Sequence, residues 1–302
     1  MNKKPSAYRL YAPQTPYLLL LPSMAVIVLI LVIPIVFAVY ISFTDSNMFA
    51  VADRSWSYVG LDNYRDFITN PSFGRVLYAT FVYVVLGVVL TFAAGLAAAL
   101  LLNVKLRGSA IFKALFILPW VVPQVVLVII WRWMLNPQFG VINYLLSSVG
   151  IVPPEFAWLS NPTIAIFTVM VVTTWKQYPL SFLILLAGLK TIPDELYEAA
   201  SIDGAGSVGR FMHITWPGLR PVTSVLVLLL TVWAFTNFVI IWLMTRGGPA
   251  DRTATLAIFS YLNSFGFNRL GYGATIGVIA LLFSLAFSIV YYFAFMRRRE
   301  DN

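Results

Sequence analysis

Four stretches of this sequence run for two dozen residues or more without one charged side chain: residues 17–43, 76–102, 222–245 and 271–296. No other feature restricts the fold as strongly. A bilayer core about 30 Å thick is crossed by about 20 apolar residues, each rising about 1.5 Å along a helix. Each of the four is long enough. Two more stretches qualify with a single charge. Residues 114–131 are followed by Arg132, which places a third span at about 114–135, and residues 163–189 are interrupted by Lys176. The expectation is an all-α membrane protein with six transmembrane helices. In lipid every backbone N–H and C=O must be satisfied within the structure, and a helix does this span by span.

Composition agrees. Of the 302 residues, 60% are hydrophobic and 11% charged, against about 45–50% apolar and about 25% charged in soluble domains. Such a chain cannot cover itself with polar groups in water. An ordinary soluble enzyme, a disordered tail and a nucleic-acid-binding domain are excluded. The absence of Cys removes a disulfide scaffold, a thiolate metal site and a Cys nucleophile, and one His cannot build a metal site. The chain reads as a single transmembrane domain, 1–302.

Lys3, Lys4 and Arg9 precede the first span. Its apolar run far exceeds a signal-peptide core of about 7–15 residues, so it reads as a retained helix, with Pro22 and Pro34 as expected bends. Orientation follows from the Lys and Arg count, which is enriched on the cytoplasmic side. With the N-terminus inside, the inner segments hold Lys3, Lys4, Arg9, Lys105, Arg107, Lys113, Lys190, Arg210, Arg220, Arg297, Arg298 and Arg299. The outer ones hold Arg54, Arg65, Arg75, Arg246, Arg252 and Arg269. Both termini are therefore expected in the cytoplasm. Among the outer loops, residues 141–149 suggest a short interfacial helix.

The inner loop 190–221 is long and patterned. Pro193 fits the first position of a helix, Asp194 and Glu195 suit its first turn, and Asp203-Gly204 suits its end, with Gly taking a left-handed cap. A second short helix is expected over 207–213, leading to Pro217. The apolar Leu196, Tyr197, Ile202, Phe211 and Met212 on such helices call for a partner surface.

The string Glu198-Ala199-Ala200, Asp203-Gly204, Ile214-x-x-Pro217 resembles the EAA loop of binding-protein-dependent ABC importer permeases. Leu189-Lys-Thr-Ile-Pro193, Gly60-Leu-Asp-Asn-Tyr64, Ile117-Leu-Pro-Trp120 and Thr245-Arg-Gly-Gly-Pro249 are similar to the sugar-importer branch, in particular its MalF-type subunit. The resemblance covers nearly the whole chain. Trp216 departs from it, standing where the family usually has Leu. The resemblance implies a type I ABC importer permease fold in a bacterial inner membrane. It implies that the loop is a coupling helix docking on a cytoplasmic ATPase through Glu198, Ala199, Ala200, Asp203 and Gly204. The partners implied are a MalG-type second permease subunit, two ATPase subunits and an extracytoplasmic solute-binding protein that delivers a sugar. The chain has no G-x-x-x-x-G-K-[ST] phosphate loop. No cofactor is expected on it, and ATP and Mg belong to the partner ATPase, so the chain itself is not expected to be an enzyme.

Polar residues at membrane depth mark the candidate substrate site. A charge there costs at least about 2.5–3.5 kcal/mol on insertion scales, and Lys176 is the fourteenth residue of its 27-residue stretch, 163–189. Pro179 is expected to weaken this helix and free carbonyls nearby. Trp120, Gln124 and Asn237 lie at similar depth. Alignment with the MalF-type family implies Trp120, Gln124, Thr173, Gln177 and Asn237 as sugar contacts, while Leu180 and Ala234 are apolar at two further contact positions. Singly, each polar residue also reads as interhelical hydrogen bonding; together they favour a site. Lys176 suggests an anionic sugar, a uronate or sulfonate. Pairing with a helix carbonyl end, or with an acid of the partner subunit, is the other reading of that ammonium. Arg132 reads as an interfacial anchor. An ion-coupled secondary transporter is the alternative from another class. It would call for buried acids, and no Asp or Glu lies in any of the six stretches.

Overall fold

The computed structural model describes residues 15–53, 55–103 and 108–296. Of the residues used for orientation, Lys3, Lys4, Arg9, Arg54, Lys105, Arg107, Arg297, Arg298 and Arg299 lie outside that set. Among the described residues the structure is helical, with one isolated β-bridge between Thr44 and Tyr58. Among the described residues five helices are long and apolar enough to cross a membrane: α1 (Tyr17–Ile41), α2 (Phe73–Leu102), α5 (Ala165–Leu189), α7 (Ser207–Thr236) and α9 (Leu270–Phe295). A sixth candidate span is a bent pair, α3 (Ser109–Val121) and α4 (Gln124–Met134), meeting at 95°.

That bend corrects the expectation of one continuous third span. Val122 is extended, with ψ 129°, and precedes Pro123, which caps α4. The Pro ring disfavours helical backbone at the residue before it, and Pro123 has no N–H to continue the ladder. The fifth span is also interrupted. α7 ends at Thr236, Asn237 is extended with ψ 117°, and α8 (Val239–Thr245) follows. The fourth span departs in the other direction. α5 passes through Pro179 as one helix, so the freed carbonyls expected there lie in the third span instead.

The inner loop forms α6 (Asp194–Ile202), with Pro193 at the cap position, one residue before the place expected for it. Its end is a Schellman motif: Gly204 has φ +79°, the Ala205 N–H donates to the Ala200 carbonyl (2.8 Å) and the Gly204 N–H to that of Ser201 (3.2 Å). The separate second helix expected over 207–213 is in fact the start of α7. A π-helical turn, Phe211–Thr215, leads directly into the segment carrying Pro217. A wider turn accommodates a residue that cannot bond back to the i−4 carbonyl. The short helix Val141–Ser148 forms as expected.

Two apolar cores divide the bundle. One joins Phe67, Tyr83, Leu127, Val169, Ile240 and Tyr272; the other joins Val84, Phe182, Leu185, Leu219 and Leu226. The second core adjoins α6, with Ile192 buried in it and Tyr197 packed against it. α2 and α5 cross it in close contact. A Cβ on Gly95 would stand 2.4 Å from the Ser181 Cβ, so only Gly permits this approach. α1 stands apart, with only 6% of its apolar window buried within the chain.

Candidate functional site

Two helix breaks face the middle of α5, and a cavity of about 280 Å³ lies between them. Trp120, in the last turn of α3, and Gln124, the first residue of α4, form one wall. Lys176 and Gln177 of α5 form the back. Trp233 and Thr236 at the end of α7, Asn237 and Phe238 in the break, and Val239 at the start of α8 form the other wall. Discontinuous helices around a mid-depth cavity are how many transporters present main-chain and side-chain polar groups without exposing them to lipid. Indole faces at Trp120 and Trp233 and amides at Gln124, Gln177 and Asn237 suit a ring apolar on one face and hydroxylated at its rim. Trp120 is 45% exposed and Trp233 39% exposed, so the cavity is open on one side.

Five of the six residues expected at the substrate site therefore meet: Trp120, Gln124, Lys176, Gln177 and Asn237. Thr173 does not join them. It is buried, donates to the Val169 carbonyl (2.9 Å) and shares a 2.9 Å hydrogen bond with the Tyr83 hydroxyl. It lines a separate void of about 10 Å³ that Gln177 also borders. Thr236, Phe238 and Val239 escaped the sequence reading, because the break at Asn237 that turns them toward the cavity was not foreseen.

Lys176 is only 8% exposed. Its ammonium donates to the carbonyls of Trp120 (2.5 Å), Val122 (2.7 Å) and Pro119 (3.3 Å). A helix leaves its last four carbonyls without internal donors and carries partial negative charge there. An ammonium has three donors, and these three carbonyls take them. Of the readings left open for Lys176, pairing with a helix carbonyl end is the one the geometry favours.

At one end of the bundle the loops carry their own architecture. The Asn63 amide donates to the carbonyls of Ser42 (3.0 Å) and Thr44 (2.7 Å), which closes the chain after α1. Arg132 is exposed and donates to the Leu243 carbonyl (3.4 Å), beside a cavity of about 410 Å³ also lined by Asn136, Trp158 and Pro249. It ties α4 to α8 rather than only reaching toward the membrane surface.

At the other end, α6 exposes Glu198, Ala199, Asp203 and Gly204, while Ala200 is half-buried. Leu196 (51%), Ile202 (86%), Val208 (77%) and Met212 (53%) present apolar surface. Tyr197 and Phe211 turn inward instead. The Tyr197 hydroxyl bonds Thr215 Oγ1 at 3.0 Å, and Phe211 packs on Trp216. His213 bonds the Gly209 carbonyl through Nδ1, an ordinary helical contact. Among the described residues no cluster of His, Asp and Glu is arranged to hold a metal.

Residues 91–300 match the family described as binding-protein-dependent transport system inner membrane component. The chain is 34% identical over 275 residues to the trehalose/maltose transport system permease protein MalF of Thermococcus litoralis, covering 91% of each. It is 34% identical over 289 residues to the diacetylchitobiose uptake system permease protein DasB of Streptomyces coelicolor, covering 95% of this chain and 88% of that one. The fold resembles that of a chain from a bacterial ABC transporter involved in import of the acidic polysaccharide alginate. The TM-score is 0.81 at 20% identity, over 94% of this chain and 95% of that one. Similarity sustained along nine-tenths of the chain sets aside the ion-coupled carrier: the chain belongs to the binding-protein-dependent transport system inner membrane components, as a multi-pass ABC importer permease that is not itself an enzyme.

Proposed function

We propose that this chain forms half of the translocation path of an ATP-driven sugar importer, with the sugar held in the cavity between the third and fifth spans. The observation that carries this reading is the convergence of Trp120, Gln124, Gln177, Trp233 and Asn237 at two helix breaks. The names of the relatives, a trehalose/maltose permease and a diacetylchitobiose permease, point to a disaccharide or short oligosaccharide. The open side of the cavity is where a MalG-type second permease closes it. α6 is the coupling helix. Its exposed Leu196 and Ile202 and the carboxylates of Glu198 and Asp203 offer an apolar and acidic surface to an ATPase subunit. Two such subunits hold the ATP and Mg, and this chain holds no cofactor. A solute-binding protein delivers the sugar at the end that bears Arg132 and Trp158. Both termini, and α6, are cytoplasmic. Lys113 and Lys190 beside α6, and Arg210 bonded to Ser201 of α6, support this.

The test is uptake by proteoliposomes carrying the chain with its co-purified partners and binding protein, offered labelled maltose, trehalose, diacetylchitobiose and a uronate disaccharide. ATP-dependent accumulation of one of these supports the reading. Accumulation driven by an ion gradient without ATP overturns it.

A further inference from the structure

The third and fourth spans are joined at three levels. Below the bend, Phe116 of α3 meets Tyr178 and Phe182 of α5, with ring centroids 6.3 and 6.0 Å apart. Above it, Trp131 of α4 meets Trp175 of α5 at 5.7 Å. At the bend itself stands Lys176, whose ammonium gathers the carbonyls of Pro119, Trp120 and Val122. The three aromatic contacts alone would tolerate a range of bend angles. An ammonium bonded to carbonyls on both sides of the last helical residue, Val121, would not. One of those carbonyls belongs to Trp120, a cavity wall, and Gln124 begins two residues beyond the third.

α5 also leads directly into α6. The junction is packed rather than loose. Ile192 is 8% exposed, a Cβ on Gly218 would stand 2.7 Å from its Cδ1, and the Thr191 and Ile192 N–H groups bond back to Gly188 (3.2 Å) and Leu189 (3.3 Å). This packing ties α6 to the end of α5.

We propose that Lys176 is a positioning residue that clamps the broken third span to the fourth, so that movement of the coupling helix resets Trp120 and Gln124 in the cavity. The ammonium acts on main-chain carbonyls and not on the cargo. This deepens the reading of the cavity and of α6 given above, but the bend it describes is measurable without either.

The chain has no Cys, and Ile111 on α3 and Ile129 on α4 are both exposed. Spin labels at Ile111→Cys and Ile129→Cys, in the purified assembly in lipid nanodiscs, report the bend by pulsed electron paramagnetic resonance. A narrow distance distribution is expected with Lys176, a broadened or shifted one with Lys176→Met, and restoration with Lys176→Arg, which keeps the charge and the donors. A wild-type distribution in Lys176→Met overturns the clamp. If Lys176→Met fails to assemble, Lys176→Gln carries the same test: broadening supports the clamp and an unchanged distribution overturns it.

A second label pair, Ile129→Cys with Ile202→Cys on α6, reads the coupling. On addition of ATP and Mg the clamped chain keeps this distance, whereas Lys176→Met changes it while ATP hydrolysis continues. If ATP changes this distance in both variants alike, transmission through Lys176 is overturned. If ATP moves neither label pair in any variant, the ATP-driven reading fails while the bend result still stands. A third result also overturns the clamp: an unchanged bend with uptake of the uronate disaccharide alone reduced, which would assign the ammonium to an anionic cargo.

Discussion

Lys176 and Asn63 perform the same task in different places: each donates to main-chain carbonyls that a helix end leaves bare. The sequence marked Lys176 as expensive at membrane depth and left a helix carbonyl end among its readings, but did not say which carbonyls. Its acceptors lie 54 to 57 residues away in the chain and exist only because the third span breaks. Asn63 shows what the Gly60-Leu-Asp-Asn-Tyr64 string builds as a unit. Gly60 takes φ +59°, Asn63 closes the end of α1, and the Tyr64 hydroxyl bonds Ser42 Oγ at 2.7 Å. Thr173 stays out of the cavity for a comparable reason. It lies one turn from Gln177 on the same helix, yet the Tyr83 hydroxyl from α2 claims it, and spacing along one helix says nothing of the neighbouring helix. The aromatic wall gives a prediction at this scale. Trp120→Ala is expected to raise the KM for sugar uptake by about two- to tenfold with kcat little changed, since an aromatic contact is worth about 0.5–1.5 kcal/mol. Uptake kinetics over a range of sugar-loaded binding protein check it.

Among the elements, span existence was the most legible feature and span continuity the least. Charge-free runs locate the helices because lipid demands it. Whether a helix continues depends on residues that hydropathy does not weigh. Pro119 and Pro123 were visible, but a Pro inside a span is often accommodated, as Pro179 is in α5. What differs at Pro123 is that the residue before it, Val122, leaves helical geometry entirely and that Lys176 is placed to receive the exposed carbonyls. Asn237 carried a weaker signal, an amide that competes with the backbone for hydrogen bonds. The joining of the expected second loop helix to the fifth span rests on the π turn Phe211–Thr215, which has no sequence signature of its own. Helix packing yields a sharper prediction. Gly95→Val on α2 would drive a branched side chain into Ser181 and the Phe182 backbone N, 2.9 Å from the new Cβ. A loss of about 1–3 kcal/mol is expected from overpacking. It should be read as a lowered midpoint of thermal unfolding in detergent, while Gly87→Val, with open space around it, leaves the midpoint near wild type.

For the molecule as a whole, the two cores and the two ends give the chain a direction. The α6 end gathers Lys113, Lys190 and Tyr197 around a cavity of about 630 Å³, and the opposite end carries the Asn63, Arg132 and Trp158 arrangements. Its sense in the membrane is tested by labelling single-Cys variants with a membrane-impermeant maleimide. In intact cells Tyr144→Cys is expected to react and Ile202→Cys to react only after the cells are opened; the reverse pattern would invert the topology. Neither end explains transport alone. In the proposed mechanism motion begins where α6 is exposed and finishes at the cavity that Trp120 and Asn237 line. Glu198 is the single position at which this claim is most open to attack, since it lies exposed on α6 and far from the cavity walls in the chain. ATP-driven sugar accumulation by proteoliposomes containing the Glu198→Arg assembly is the decisive measurement. The expected result is uptake reduced by about tenfold or more, equivalent to about 1.4 kcal/mol or more of activation free energy, in an assembly that purifies intact and hydrolyses ATP. Uptake at the wild-type rate by that intact assembly would contradict the assignment of α6 as the place where ATP hydrolysis is coupled to the cavity.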